Sequence, residues 1–185
     1  MTPGAHLLIS WLCTVDVLNK RRERTVVALS GMAPDIDGLG IIVDKLTGLT
    51  NYYQAYHHYL GHSIFSAFII ASLASAIATT QRKLVWLLSF FVIHVHVICD
   101  VIGSKGPDGY QWPVYYLYPL IPDYELTWQY QWELNAWQNY VIMALLIGTN
   151  FYYASKMRIT FLEVLSCKLN DAALTMFDKY VRKTA

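Results

Sequence analysis

The stretch LVWLLSFFVIHVHVICDVI, residues 84–102, decides how the chain is read. As a helix it reaches about 29 Å, close to the roughly 30 Å of bilayer hydrocarbon. Its last half nevertheless carries His94, His96 and Asp100. An ionisable side chain at membrane depth costs at least about 2.5–3.5 kcal/mol, so such groups face a partner, a cavity or an ion. His96 and Asp100 are four residues apart and share one helix face, which suits a common metal ion. His94 points almost the other way and reads as a core histidine bonded to a neighbouring element.

The whole composition agrees with a membrane setting. Of 185 residues, 55% are hydrophobic and 15% charged, where soluble domains carry about 25% charged residues. Mean hydropathy is +0.32. The length suits one domain, residues 1–185. A net charge of +1 gives no field for nucleic acid, and no basic stripe interleaved with aromatics marks a groove for it. Cys13, Cys99 and Cys167 form no CxxC pair and read as small buried hydrophobes. The KRRER cluster at 20–24 follows the first apolar stretch, the reverse of a secretory signal, so that stretch is expected to remain in the mature protein.

The expected fold is all-α, a polytopic membrane bundle. Residues 64–80, 84–102 and about 137–155 read as three full-length spans, and 7–18 and 25–34 as two short N-terminal membrane helices. If the helices alternate in direction, KRRER, Arg82 with Lys83, and Lys156 with Arg158 fall on one side. Lys168, Lys179, Arg182 and Lys183 of the tail join them. Cytoplasmic loops collect such charge, so the C-terminus is expected inside. His6, Asp35, Asp37, His62, His96 and Asp100 then converge on the opposite, extracytoplasmic face. Residues 103–136 are rich in Tyr and Trp and read as an interfacial anchor or a lid. Residues 158–185 read as an amphipathic helix on the cytoplasmic surface or against the bundle.

Two further motifs carry chemistry. In YHHYLGHS, residues 56–63, His58 and His62 have i, i+4 spacing, while His57 joins His62 only if the helix begins after His57. In GMAPDIDGLG, residues 31–40, Pro34 and the glycines predict a turn from which Asp35 and Asp37 project together. Imidazole with carboxylate suits zinc, manganese or iron, and five or six such ligands can hold two ions.

These four motifs, in this order, resemble the small bacterial membrane-bound metal-dependent hydrolases, some of which are under LexA control. The matching residues are His6 in GAHLL, Asp35 and Asp37 in APDIDG, His57 to Ser63 in HHYLGHS, and His96 to Pro113 in HVICDVIGSKGPDGYQWP. The resemblance covers roughly residues 1–120. His58, Tyr59 and Gly61 stand where that family has Arg, Gly and Thr, which removes a phosphate-clamping arginine. By this resemblance His57, rather than His58, pairs with His62. The HxxxD helix is also distantly similar to one in zinc-dependent phospholipase C, an analogy that favours phosphoester chemistry.

The functional expectation is a membrane-bound metal-dependent hydrolase of a lipid or lipid-linked phosphoester, with the bilayer and a lipid substrate as partners. The metal ligands expected are His6, Asp35, Asp37, His57, His58, His62, His96 and Asp100, holding one or two divalent ions, zinc first. Asp37 and Asp100 are the expected catalytic carboxylates, and Lys105 a cation for an anionic substrate. A metal transporter, with Asp16 and Asp44 as candidate residues off the site face, and a structural membrane protein are the competing classes.

Overall fold

The computed structural model describes residues 1–106 and 109–182. Its helices are α1 (Pro3–Val15), α2 (Arg21–Met32), α3 (Gly40–Thr47), α4 (Tyr52–Tyr56), α5 (Ile64–Ile77), α6 (Arg82–Gly103), α7 (Trp137–Met157) and α8 (Cys167–Phe177). Two 3-10 segments, Ala33–Leu39 and Phe161–Val164, join them, and a π-helical turn, Asp178–Arg182, follows α8. Pairing between extended segments among the described residues is confined to isolated bridges, Lys105 with Glu133 and Val114 with Leu126.

Two apolar clusters assemble the bundle. Leu7, Trp11 and Val15 of α1 pack on Ala28 of α2 and on Val164. Leu18 and Val27 pack with Ala74 and Ala78 against Val85 and Val92 of α6. The inward face of α5 is Ala67, Ala71 and Ala74, all buried. Small residues at that spacing let two membrane helices approach closely. The other face of α5, with Phe68, Ile69 and Leu73, is exposed, as expected of a surface that meets lipid.

The spans differ from the sequence reading. Two helical stretches among the described residues are both long and apolar enough to cross a membrane, Arg21–Thr47 and Arg82–Gly103. The expected span at 64–80 stops at Ile77, 14 residues long, because Thr79 and Thr80 are drawn away: their amides and hydroxyls all donate to Glu23 Oε1 at 2.9–3.2 Å. The helix at 137–157 is long enough, but Asn139, Thr149 and Asn150 dilute its apolar run. Conversely, the run at 25–34 is not short. Pro34 falls in the first turn of the 3-10 segment, where a missing N–H costs nothing. Ala33 keeps helical angles (φ −60°, ψ −31°). The turn expected around Asp35 and Asp37 is therefore a helical join between α2 and α3.

The basic clusters do meet at one end of the bundle. Arg22 Nη2 donates to the Ile77 carbonyl at 2.8 Å, and Arg24 pairs with Glu163 at 2.7 Å through both carboxylate oxygens. Trp11 Nε1 donates to the same carboxylate at 2.8 Å, and Arg21 Nε to the Glu163 carbonyl at 2.6 Å. The C-terminal segment thus docks on the bundle through the residues around Glu163 before α8 begins. Cys167 is exposed rather than buried, while Cys13 and Cys99 are half-buried. Lys183 of the tail lies outside the described residues.

Candidate metal centre

The centre forms about 21 Å along α6 from Arg82, by helical rise, where four segments meet. On α6, His96 Nε2 lies 2.9 Å from Asp100 Oδ2, the i, i+4 pair read from the sequence. Residue His6 of α1 stacks its ring on that of His96, with centroids 3.7 Å apart, and its Nε2 is 3.2 Å from Asp100 Oδ1. The Met1 ammonium also touches Asp100 Oδ1. From the turn before α5, His62 Nε2 is 3.1 Å from His96 Nε2 and 3.4 Å from Asp100 Oδ2. Asp35 Oδ1 lies 3.7 Å from His96 Nε2.

Tautomers follow from the outer partners. His96 Nδ1 faces the Gly31 carbonyl at 2.7 Å. A carbonyl only accepts, so Nδ1 carries the proton, and in the neutral ring Nε2 presents its lone pair. His62 Nδ1 faces Asp37 Oδ2 at 2.9 Å and is placed the same way. Two imidazole lone pairs and the carboxylates of Asp35 and Asp100 then point at one buried volume. The Met1 ammonium lies against Asp100 Oδ1 as one cation beside these groups. His6 Nδ1, Asp35 Oδ2 and His58 Nδ1 are buried without a hydrogen-bond partner, where most such atoms are satisfied. The donor set fits a metal ion.

Two groups of donor atoms lie close enough to hold one. The first is His6, Asp35, His96 and Asp100; the second is His58, His62 and Asp100, with atoms within 4.8 Å of one another in each. Asp100 belongs to both.

Asp37 and His57 take another place. Asp37 Oδ1 meets His57 Nδ1 at 2.9 Å, and Oδ2 accepts from the Gly61 amide at 3.0 Å besides facing His62. Asp35 and Asp37 do not project together, because on a 3-10 helix residues two apart diverge by about 120°. One aims at His96 and the other at the 57–62 turn. In that turn the His57 and His58 rings stay in contact, with centroids 4.2 Å apart, while His57 bonds Asp37 and His58 joins the donor group. His58 holds φ 71°, a left-handed conformation that costs a non-glycine residue about 1–3 kcal/mol and gathers at functional sites. The Tyr115 amide clamps it by donating to the His58 carbonyl at 3.1 Å. Trp112 lies edge-on to both rings, at 5.1 Å from His57 and 5.7 Å from His58. His94 faces away from the centre, with Nδ1 at 2.7 Å from the Phe90 carbonyl and Nε2 at 2.8 Å from the Tyr116 hydroxyl. Lys105 is held by its backbone, between the Trp132 carbonyl and the Leu134 amide.

Sequence reasoning took Gly31 only as a glycine flanking a turn and Gly61 only as a departure from a motif. Gly31 contributes a carbonyl, which no side-chain pattern reveals. A Cβ on Gly61 would collide with the Pro34 carbonyl, so only glycine lets the 57–62 turn seat against the Asp35–Asp37 segment. Gly61→Ala is therefore expected to destabilise the protein by about 1–3 kcal/mol and to weaken metal binding with it. Thermal melts with and without added metal would show this, and unchanged binding would mean that the turn seats in another way.

Burial drives the His58 imidazole well below its ordinary value, so it is neutral and ready to bind. His62 is also fully buried, yet its hydrogen bonds to Asp100 and Asp37 outweigh burial and hold it up at about 9 in the metal-free protein. The proton-linked stability this gives is full below the ordinary histidine value and is lost as pH rises through about 9. A metal takes neutral imidazole and must expel that proton. Affinity should then rise about tenfold per pH unit between about pH 6 and 8 and level off above 9. Titration calorimetry in buffers of different ionisation enthalpy tests it, and a pH-independent affinity without proton release would contradict it.

No curated protein and no solved structure matches this chain. A family profile described as YdjM inner membrane protein matches residues 1–170. Apolar helices, a pair of which can span a bilayer, agree with that description. By a match that leaves out only the last residues of the tail, the chain belongs to the YdjM inner membrane protein family.

Proposed function

We propose that this protein is a metal-dependent hydrolase acting on a lipid or lipid-linked phosphoester within the inner membrane. The observation that carries the reading is the buried convergence of His6, His58, His62, His96, Asp35 and Asp100, with orphaned donor atoms aimed inward. One or two divalent ions there, zinc first and manganese or iron as alternatives, would supply Lewis acidity and lower the pKa of a water. The chain's own residues do the rest. Gly31 and Asp37 fix the tautomers of His96 and His62, Asp100 ties the two donor groups together, and Asp35 Oδ2, without a partner, is placed to take a proton. Asp37, which sequence reasoning made a ligand and proton acceptor, acts in this scheme by orienting His57 and His62. Lys105 remains a candidate for contact with an anionic substrate.

With the basic clusters on the cytoplasmic side by the positive-inside rule, the centre lies toward the extracytoplasmic face. The two short N-terminal helices and three full spans of the sequence reading correspond to α1, the α2–α3 stretch, α5, α6 and α7, of which the α2–α3 stretch and α6 are long and apolar enough to cross. A transport pathway would need ionisable groups free at several depths. Here Asp16 accepts from the Tyr153 hydroxyl, and Asp44 caps α4 through the Tyr52 and Tyr53 amides at 2.8 Å. Both are spent on structure, which favours hydrolysis over transport.

The test is phosphoester release from lipid vesicles by reconstituted protein with zinc or manganese, beside Asp37→Asn. The variant keeps the shape but loses the orienting charge, and should bind metal about 10–100-fold more weakly and lose activity in step. Turnover that is indifferent to chelator, or an unchanged Asp37→Asn protein, would count against the proposal.

A further inference from the structure

The start of α1 and the first turns of α7 line a groove of about 340 Å³. Met1 is part of its lining, and the Met1 ammonium touches Asp100 of the candidate metal centre. Ala5, Leu134, Tyr140 and Met143 form the walls. The volume is at the small end of ligand pockets, about 300–1,000 Å³. Asn139, a polar wall residue, has its hydrogen bonds already committed. Its Oδ1 accepts from Trp132 Nε1 at 3.0 Å, and its Nδ2 donates to the carbonyls of Gly103, Glu133 and Leu134 at 2.9–3.2 Å. What remains for a ligand is mainly hydrocarbon. Tyr140 in its wall is exposed on a helix of an inner membrane protein, so the groove opens to the surface, where lipid lies.

We infer that this groove holds one acyl chain of a membrane phospholipid, with the chain's glycerol end toward Asp100. A headgroup would find few free polar partners there. A chain entering sideways from the bilayer exchanges one apolar setting for another and sets its polar end beside Met1, whose ammonium touches Asp100. The inference rests on the proposed hydrolase only in naming the bound lipid as substrate; the groove itself stands on its lining.

Native mass spectrometry tests it, since loosely held lipid leaves with the detergent. Wild-type protein from phospholipid-containing membranes should retain one phospholipid per chain. Met143→Trp and Ala5→Trp, which fill the groove, should lower that adduct about tenfold with metal content unchanged. Leu134→Trp, at the half-open rim with 40% exposure, serves if a buried tryptophan prevents folding. No adduct on wild type, or an adduct undiminished in folded variants, would overturn the assignment even if the metal is present. Loss of the adduct in the variants, with no metal in any sample, would support the groove and count against the hydrolase.

Discussion

Asp100→Ala is expected to empty the metal centre, lowering bound metal about 100-fold or more and abolishing hydrolysis with it. The size of the effect follows from position. Asp100 is common to both donor groups, and its two oxygens face His6 on one side and His62 and His96 on the other, at 2.9–3.4 Å. Its removal takes a ligand from each group, leaving Asp35 as the carboxylate of the first and none in the second. Asp100→Asn separates charge from shape. It preserves the packing around a side chain that is 2% exposed and should fold, yet should lose metal nearly as fully. A folded Asp100→Asn protein with wild-type metal content would show that the donor groups are packing contacts only.

Glu163→Ala is expected to cost about 3–5 kcal/mol of stability, the largest structural effect predicted here. Arg24 and Glu163 are 7% and 3% exposed, and Glu163 accepts from both the Arg24 guanidinium and the Trp11 indole. Removing the carboxylate strands a buried cation and a buried N–H together. Thermal melts in detergent should fall on the order of 10 °C. Metal per folded chain should hold, because this clamp sits at the opposite end of the bundle. The Arg158–Asp178 pair is a control: its side chains are 41% and 38% exposed, and solvent screens such pairs. Asp178→Ala should melt close to wild type. Equal losses in the two variants would mean that the Glu163 network is not the clamp described.

Much of the centre was legible because its signals are local. HxxxD spacing on an apolar helix puts His96 and Asp100 on one face whatever the rest of the chain does. Two imidazoles and a carboxylate in so apolar a run are costly unless used. The separate roles of Asp35 and Asp37 were not legible, because they depend on whether Pro34 breaks the helix. Pro34 reads as a breaker when its predecessor is viewed alone, but in the first turn of a 3-10 segment it is tolerated. The choice between His57 and His58 hung on the backbone of a turn, in which His58 holds φ 71° and the two adjacent rings, still 4.2 Å apart, take different partners. The length of α5 was misread for a long-range reason. Glu23, far away in sequence, captures Thr79 and Thr80 and ends the apolar run early.

The most direct test of the central claim is the metal content of the wild-type protein, purified in mild detergent without chelators and measured by plasma mass spectrometry. The convergence of His6, His58, His62, His96, Asp35 and Asp100 predicts one or two transition-metal ions per folded chain. Folded protein with no stoichiometric metal, and with none taken up when zinc, manganese or iron is supplied, would contradict it and leave the histidines as bonds between helices.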